Sequence, residues 1–199
     1  GVQTCALPIF GITRVNYSTY QAVSGSGQKG IEDLHRTQKG EEPLLYPYDI
    51  SQTALPEIDV ALENGYTKEE QKMINETRKI LHQPDLPVSA TCVRVPIETG
   101  HGVSIAVELE KDFTLAEVRQ CLQNFSGIKV IDDLPAHRYP TSILAKGTDE
   151  VYVGRIRQDM ASENGLLLYT VADNIRKGAA ANAVQIAKAL LTEMTEGQE

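Results

Sequence analysis

An α+β fold, with a mixed, largely antiparallel sheet and its helices on one face, follows from three features of the sequence. Residues 88–95 and 103–109 alternate side-chain character at a period of two, as half-buried strands do. Thr67 with Glu70, and Thr114 with Glu117, form capping boxes, each opening a run with helical apolar spacing. Strands and helices then alternate irregularly, with two sequential strand pairs that read as antiparallel.

The composition narrows the function classes. At 199 residues, 41% hydrophobic and 23% charged, the chain suits one large domain, or one domain plus part of another. A net charge of −8 without a clustered basic face argues against nucleic acid and anionic membranes as partners. No apolar run approaches the ~20 residues that span a bilayer. The cysteines Cys5, Cys92 and Cys121 show no CxxC or metal spacing, so no metal is expected and free thiols in a cytoplasmic protein are the default.

The first nine residues lack an initiator methionine and any regular period, and they read as translated adapter sequence, foreign to the protein. Phe10 to Val23 reads as a strand region, with Ile12, Val15 and Tyr17 as its alternating apolar positions. It runs into Gly25-Ser26-Gly27-Gln28-Lys29-Gly30, a G-x-G-x-x-G loop before a short helical stretch (Ile31 to His35). A dinucleotide fingerprint also needs a second apolar strand ending in an acid about 20 residues on. Arg36 to Pro43 is a solvated loop instead, so this is not a Rossmann turn, although its backbone can approach a ligand.

Leu44 to Ile58, rich in Pro, Tyr and Asp, reads as an irregular excursion. The first capping box opens a helix from Lys68 to Leu81 with Met73, Ile80 and Leu81 toward the core, and Glu69, Lys72 and Glu76 together on another face. The second opens a helix striped by Leu115, Val118, Leu122 and Phe125, with Gly127 as its C-terminal stop. Ile128 to Ile131 is a short strand and Leu134 to Thr141 a loop. Residues 151–157 and 166–172 form two strands joined through an Asn164-Gly165 turn. Asp173-Asn174 caps a last, alanine-rich helix.

One stretch stands apart. On the strand from Val88, Ala90, Cys92 and Arg94 share a face, so a guanidinium stands among small uncharged neighbours and needs a partner there. Pro96 ends the strand, and Gly100-His101-Gly102 places an imidazole close by. A planar cation suited to carboxylates beside a proton shuttle suggests a site. From these residues alone, a salt-bridged arginine and a surface histidine remain the alternative.

Taken together, Ser18 to Gly25, Glu63 to Glu70, Asn75 to Ile80, Thr91 to Pro96 with Gly100-His101, Val153 to Arg157 and Asp173 to Ala180 resemble aspartate-β-semialdehyde dehydrogenase, over nearly all of Phe10 to Leu191. The resemblance implies the C-terminal part of a two-domain enzyme, similar to the second domain of glyceraldehyde-3-phosphate dehydrogenase. Residues 10–172 would form the catalytic and dimerisation domain. Residues 173–199 would give a helix returning to an NADP-binding Rossmann domain outside this chain, and a frayed tail.

By the same resemblance, His101 would be the acid–base and Gln21 would orient the acyl group. Arg94 would clamp the substrate carboxylate, with Glu69 and Lys72 lining the pocket and Lys72 on the phosphate side. Ser24, Gly25 and Asn174 would approach the nicotinamide end of NADP. The nucleophilic cysteine would lie upstream, and Cys5 is not in its place. One departure is Gly102, where the family usually has serine, which bears on hydrogen bonding around His101.

The implied reaction is reductive dephosphorylation of aspartyl phosphate to aspartate semialdehyde and phosphate by a cytoplasmic homodimer, with this piece inactive alone. The rival readings are another acyl-phosphate reductase, such as N-acetyl-glutamyl-phosphate reductase, and a non-catalytic dimerisation module.

Overall fold

The computed structural model describes residues 8–180 and positions 184 and 187. Six strands, β1 (Ile12–Gln21), β2 (Val88–Arg94), β3 (His101–Leu109), β4 (Ile128–Val130), β5 (Val151–Gln158) and β6 (Gly165–Ala172), form one sheet in the order β2-β1-β3-β6-β5-β4. The pairs β1–β3, β3–β6 and β5–β6 are antiparallel, while β1–β2 and β4–β5 at the two margins are parallel. Ile12 and Val15 are both buried although three apart, because a register shift between Ile12 and Arg14 restores the inward phase.

Helix α1 (Gln28–Gln38) packs in a satellite cluster with Val23, Ile50 and Leu55. Helices α2 (Lys68–Leu81) and α3 (Leu115–Asn124) cover one face of the sheet, over a core that includes Val15, Tyr17, Ile105, Val107, Val118, Leu122, Val153 and Leu168. Both predicted capping boxes are closed. Two details differ from the sequence reading. Ile80 is 49% exposed, and Ile74 takes the buried place, since residue 80 lies about 100° around the helix from Leu81. Helix α3 ends in an extended cap at Phe125, so Gly127, at φ 84°, turns the chain into β4 and does not stop the helix.

The other face of the sheet carries small and polar residues beside a small apolar cluster. Thr91, Ser18, Ser104, Tyr169 and Gly154 form a row across five strands. The single turn α4 (Ser142–Ala145) lies at its margin, with Ala145 against Tyr152 and Val171. Residues 1–7 of the expected foreign leader, and most of the expected C-terminal helix, lie outside the described residues. Phe10 is buried against the sheet, and Arg176–Ala180 is a π-helical turn.

The irregular excursion is fastened at its start by one side chain. The buried Asp33 carboxylate on α1 accepts the backbone N–H groups of Leu44, Leu45 and Tyr46, at 2.7, 3.1 and 3.0 Å. Tyr46 in turn donates to Ser26 Oγ at 3.0 Å, beside the glycine-rich loop. Burial pushes the Asp33 carboxyl up, but the three N–H groups and Arg36 outweigh it, so its pKa lies below the ordinary carboxylate value of 3.8.

Asparagine at position 33 keeps one acceptor and turns an amide N–H toward donors. Asp33→Asn is therefore expected to cost about 2 kcal/mol at pH 7, a fall of roughly 4–8 °C in thermal midpoint. Because the folded pKa is depressed, this contribution is complete above pH 3.8 and fades as pH falls through the folded value. Melting curves of parent and variant should converge in strong acid. A constant gap across pH would rule this account out.

Candidate active site

Four strand ends meet at one end of the sheet. Gln21, the last residue of β1, stands in register with Arg94, the last of β2. His101, the first of β3, pairs with Ala172, the last of β6, and Asp173-Asn174 follow directly. Residues far apart in the chain are thus delivered to one place by backbone ladders, which hold them with little freedom.

Arg94 is 5% exposed and donates from Nη1 to the carbonyl of Ala22 at 2.7 Å. Among the described residues no carboxylate forms an ion pair with it. The partner that the sequence demanded on this face is a neutral carbonyl, which leaves most of the guanidinium's donors and all of its charge for something else. Burial works against that charge, while Tyr46, Glu69 and Cys92 favour it.

The His101 ring accepts the Ala22 N–H at Nδ1, 3.1 Å away. A neutral imidazole so bonded carries its own proton on Nε2. Burial, then the charges of Arg94 and Lys72, hold its pKa down to about 4, while Gly100 and Asp173 act in the opposite sense. The imidazole is neutral at pH 7, with its Nε2–H free to serve an oxygen that develops charge.

Gly25 explains why these groups sit so close. A Cβ there would lie 2.6 Å from Arg94 Nη1 and 3.3 Å from His101 Nε2, so a side chain would displace both. Gly102 has a different consequence from the expected one. It lies in register with Tyr20 and Val171, and a Cβ on it would fall 2.1 Å from Tyr169 Oη. Residue 102 therefore faces the open side of the sheet, away from His101 on β3.

Asn174 ties two loops together. Its Oδ1 accepts Gly100 N–H at 2.9 Å and its Nδ2 donates to Ser24 Oγ at 3.0 Å. At the start of α2, Glu69 accepts from Gln21 Nε2 at 3.3 Å and from Lys72 Nζ at 3.4 Å.

All eight residues singled out from the sequence, Gln21, Ser24, Gly25, Glu69, Lys72, Arg94, His101 and Asn174, line one cavity of about 600 Å³. Ile58, Asp59, Ile175 and Gly178 also line it and were not foreseen. Asp59, at φ 69°, directly follows the irregular excursion, in a stretch where no periodicity marks any residue as inward-facing. Among the described residues no thiol lines the cavity. Cys92 is buried, and desolvation together with Glu69 and Glu70 outweighs a Thr19 hydrogen bond to push its pKa up to about 11, so it is not a nucleophile. No cluster of three or more His, Cys, Asp or Glu among the described residues could hold a metal.

Residues 6–177 match the family described as semialdehyde dehydrogenase, dimerisation domain. The chain belongs to that family. It is 54% identical over 190 residues to the aspartate-semialdehyde dehydrogenase of Aquifex aeolicus, covering 92% of this chain and 56% of the relative. It is 46% identical over 195 residues to that of Bacillus subtilis, covering 91% and 56%. The chain thus spans about half the length of the curated relatives it matches.

Among solved structures it superposes on aspartate semialdehyde dehydrogenase II from Vibrio cholerae complexed with ASA, with a TM-score of 0.86 and 40% identity, covering 93% of this chain and 57% of that one. The enzyme from Candida albicans solved with NADP shares the fold at a TM-score of 0.67 and 24% identity, covering 96% and 56%. The α+β architecture read from the sequence is that of this semialdehyde dehydrogenase family.

Proposed function

We propose that this chain is the substrate-binding and dimerising part of an NADP-dependent, cytoplasmic aspartate-semialdehyde dehydrogenase of the aspartate pathway. The observation that carries the reading is Arg94, a buried guanidinium opening on the cavity with no carboxylate partner among the described residues. Its planar fork suits the α-carboxylate of an aspartyl compound, through two parallel charge-assisted bonds. Glu69, nearby, suits a free α-ammonium. An N-acetylated substrate would bring no such charge, which favours aspartyl phosphate over N-acetyl-glutamyl phosphate. Lys72 supplies a point charge for the phosphate.

His101 would give its Nε2 proton, or a hydrogen bond, to oxygen as charge develops there, and take it back in the reverse direction. Gln21 would turn the acyl group toward it. The part of the cavity formed by Ser24, Gly25, Ser26, Asn174, Ile175 and Gly178 offers hydroxyl, amide and apolar groups and no cation, which fits a flat uncharged amide ring better than a phosphate. Ser24, Gly25 and Asn174 would hold the nicotinamide end of NADP there, and NADPH supplies the hydride. Among the described residues no thiolate of the kind such chemistry needs lines this cavity, so the chain alone should be inactive.

Titration calorimetry on the chain tests the reading. L-Aspartate 4-semialdehyde should bind saturably, N-acetyl-L-glutamate 5-semialdehyde far more weakly, and Arg94→Met should abolish binding of the first. NADPH formation from aspartate semialdehyde and phosphate should not rise above a blank. No binding of either aldehyde, or preference for the N-acetylated one, would refute the proposal.

A further inference from the structure

Glu70, next to the substrate-facing Glu69, is aimed away from the cavity and does two jobs with one carboxylate. Its Oε2 accepts the Thr67 N–H at 2.8 Å, closing the capping box of α2. Its Oε1 crosses to β2 and accepts the Cys92 N–H at 3.0 Å. Strand β2 is one of the two edge strands of the sheet, and Cys92 lies two residues before Arg94. Just beyond, Arg94 and Leu55 exchange both backbone bonds, at 2.8 and 2.9 Å, so this edge is fastened at consecutive points. Glu70 is 8% exposed, as a carboxylate with both oxygens occupied can be.

The geometry points to Glu70 as a positioning residue that fixes the first turn of α2, and with it Glu69 and Lys72, at a set distance from Arg94 on β2. The inference rests on the substrate reading above for what those groups bind. The mechanical link itself does not. An ordinary N3 glutamate caps only its own helix. Here the same carboxylate also joins two elements that carry opposite ends of the substrate site. Displacing such a site by about an ångström is enough to lose much of its binding and rate.

Glutamine at position 70 can accept one of the two N–H groups but must turn its own NH₂ toward the other. Thr67→Ala is the matched control. It removes the other half of the cap, the Thr67 hydroxyl that accepts Glu70 N–H at 3.3 Å, and leaves both bonds of the Glu70 carboxylate. Capping alone predicts that the two variants behave alike. Positioning predicts that they part.

The test uses the chain itself, with three readouts: thermal midpoint, the NMR titration of the His101 ring without ligand, and the affinity for L-aspartate 4-semialdehyde. Both variants should lose a few degrees of thermal midpoint. Only Glu70→Gln should raise the His101 pKa from about 4 toward the ordinary 6.5, as the Lys72 charge moves off, with Arg94 and Asp173 left in place. Only Glu70→Gln should weaken the semialdehyde by tenfold or more, with Thr67→Ala within twofold of the parent.

Glu70→Asp keeps the charge but cannot span both donors, and gives the same comparison if the glutamine variant does not fold. The inference is overturned if the Glu70 variants leave the His101 titration at the parent value, or if Thr67→Ala shifts it as much. Because that readout needs no substrate, failure of the link is distinguishable from failure of the substrate assignment.

Discussion

Arg94→Lys, made in the complete dehydrogenase to which the chain is proposed to belong, is expected to lower kcat/KM for aspartate semialdehyde by well over tenfold. Lysine keeps the positive charge, so any loss reports on shape. The guanidinium is held by the Ala22 carbonyl at 2.7 Å, and its remaining donors can meet a carboxylate as a fork. An ammonium at the same depth offers one rotating point charge, and it must be desolvated to do so, where Lys sheds its proton more readily than Arg. A tenfold fall corresponds to about 1.4 kcal/mol of lost transition-state binding, a modest amount for replacing a bidentate by a single charged bond. Lys72→Ala should behave differently, because Lys72 lies on a helix face with its side chain half exposed, and its ion-pair partner among the described residues is Glu69. Its effect should fall mainly on the KM for phosphate. Steady-state kinetics in both substrates decide the matter. Two variants that impair the aldehyde and phosphate in the same proportion would show that the groups do not divide the substrate between them.

The sequence made this site partly legible for a physical reason. Alternation on β2 is strict, so the company Arg94 keeps could be read from Ala90 and Cys92, and both are buried with it. Capping boxes are local, so the start of α2, and with it the positions of Glu69 and Lys72, could be placed to the residue. Register is not local. That Gln21 stands opposite Arg94, and that His101 begins a strand beside Ala172, depends on pairings between segments 73 and 71 residues apart. The resemblance to a known family implies a shared site for Gln21, Arg94 and His101, but the pairings that build it come from the sheet itself. The excursion before α2 reads as irregular and no further, because the Asp33 carboxylate and the Leu55–Arg94 backbone pair fasten a loop with no period of its own. Gly102 follows His101 in the sequence, yet the strand sends the two to opposite faces, so residue 102 does not reach the hydrogen bonds of His101.

The second large effect concerns that opposite face. Ser104→Arg is expected to convert a dimer into a monomer, weakening self-association by at least a hundredfold, about 3 kcal/mol. Ser104 lies on β3, an interior strand, flanked in register by Ser18 and Tyr169 within the row from Thr91 to Gly154. Short side chains there let a second sheet approach closely, and Tyr20, 41% exposed with its ring 6.2 Å from that of Tyr169, offers an aromatic anchor of the kind that dominates interfaces. The covered face owes its burial to α2 and α3, and no comparable helix lies over this one among the described residues. A family described as a dimerisation domain needs such a surface, and a twofold interface sets each patch against its own copy. Arginine at 104 would therefore add a desolvated cation on each copy, beside Arg155 and Arg157. The substitution touches neither the cavity nor the core beneath α2 and α3, so circular dichroism and the binding of aspartate semialdehyde to each chain should persist. Sedimentation at tens of micromolar is the measurement. A variant that remains as dimeric as the parent would place the contact on another surface, and a parent that sediments as a monomer would end the case for this face altogether.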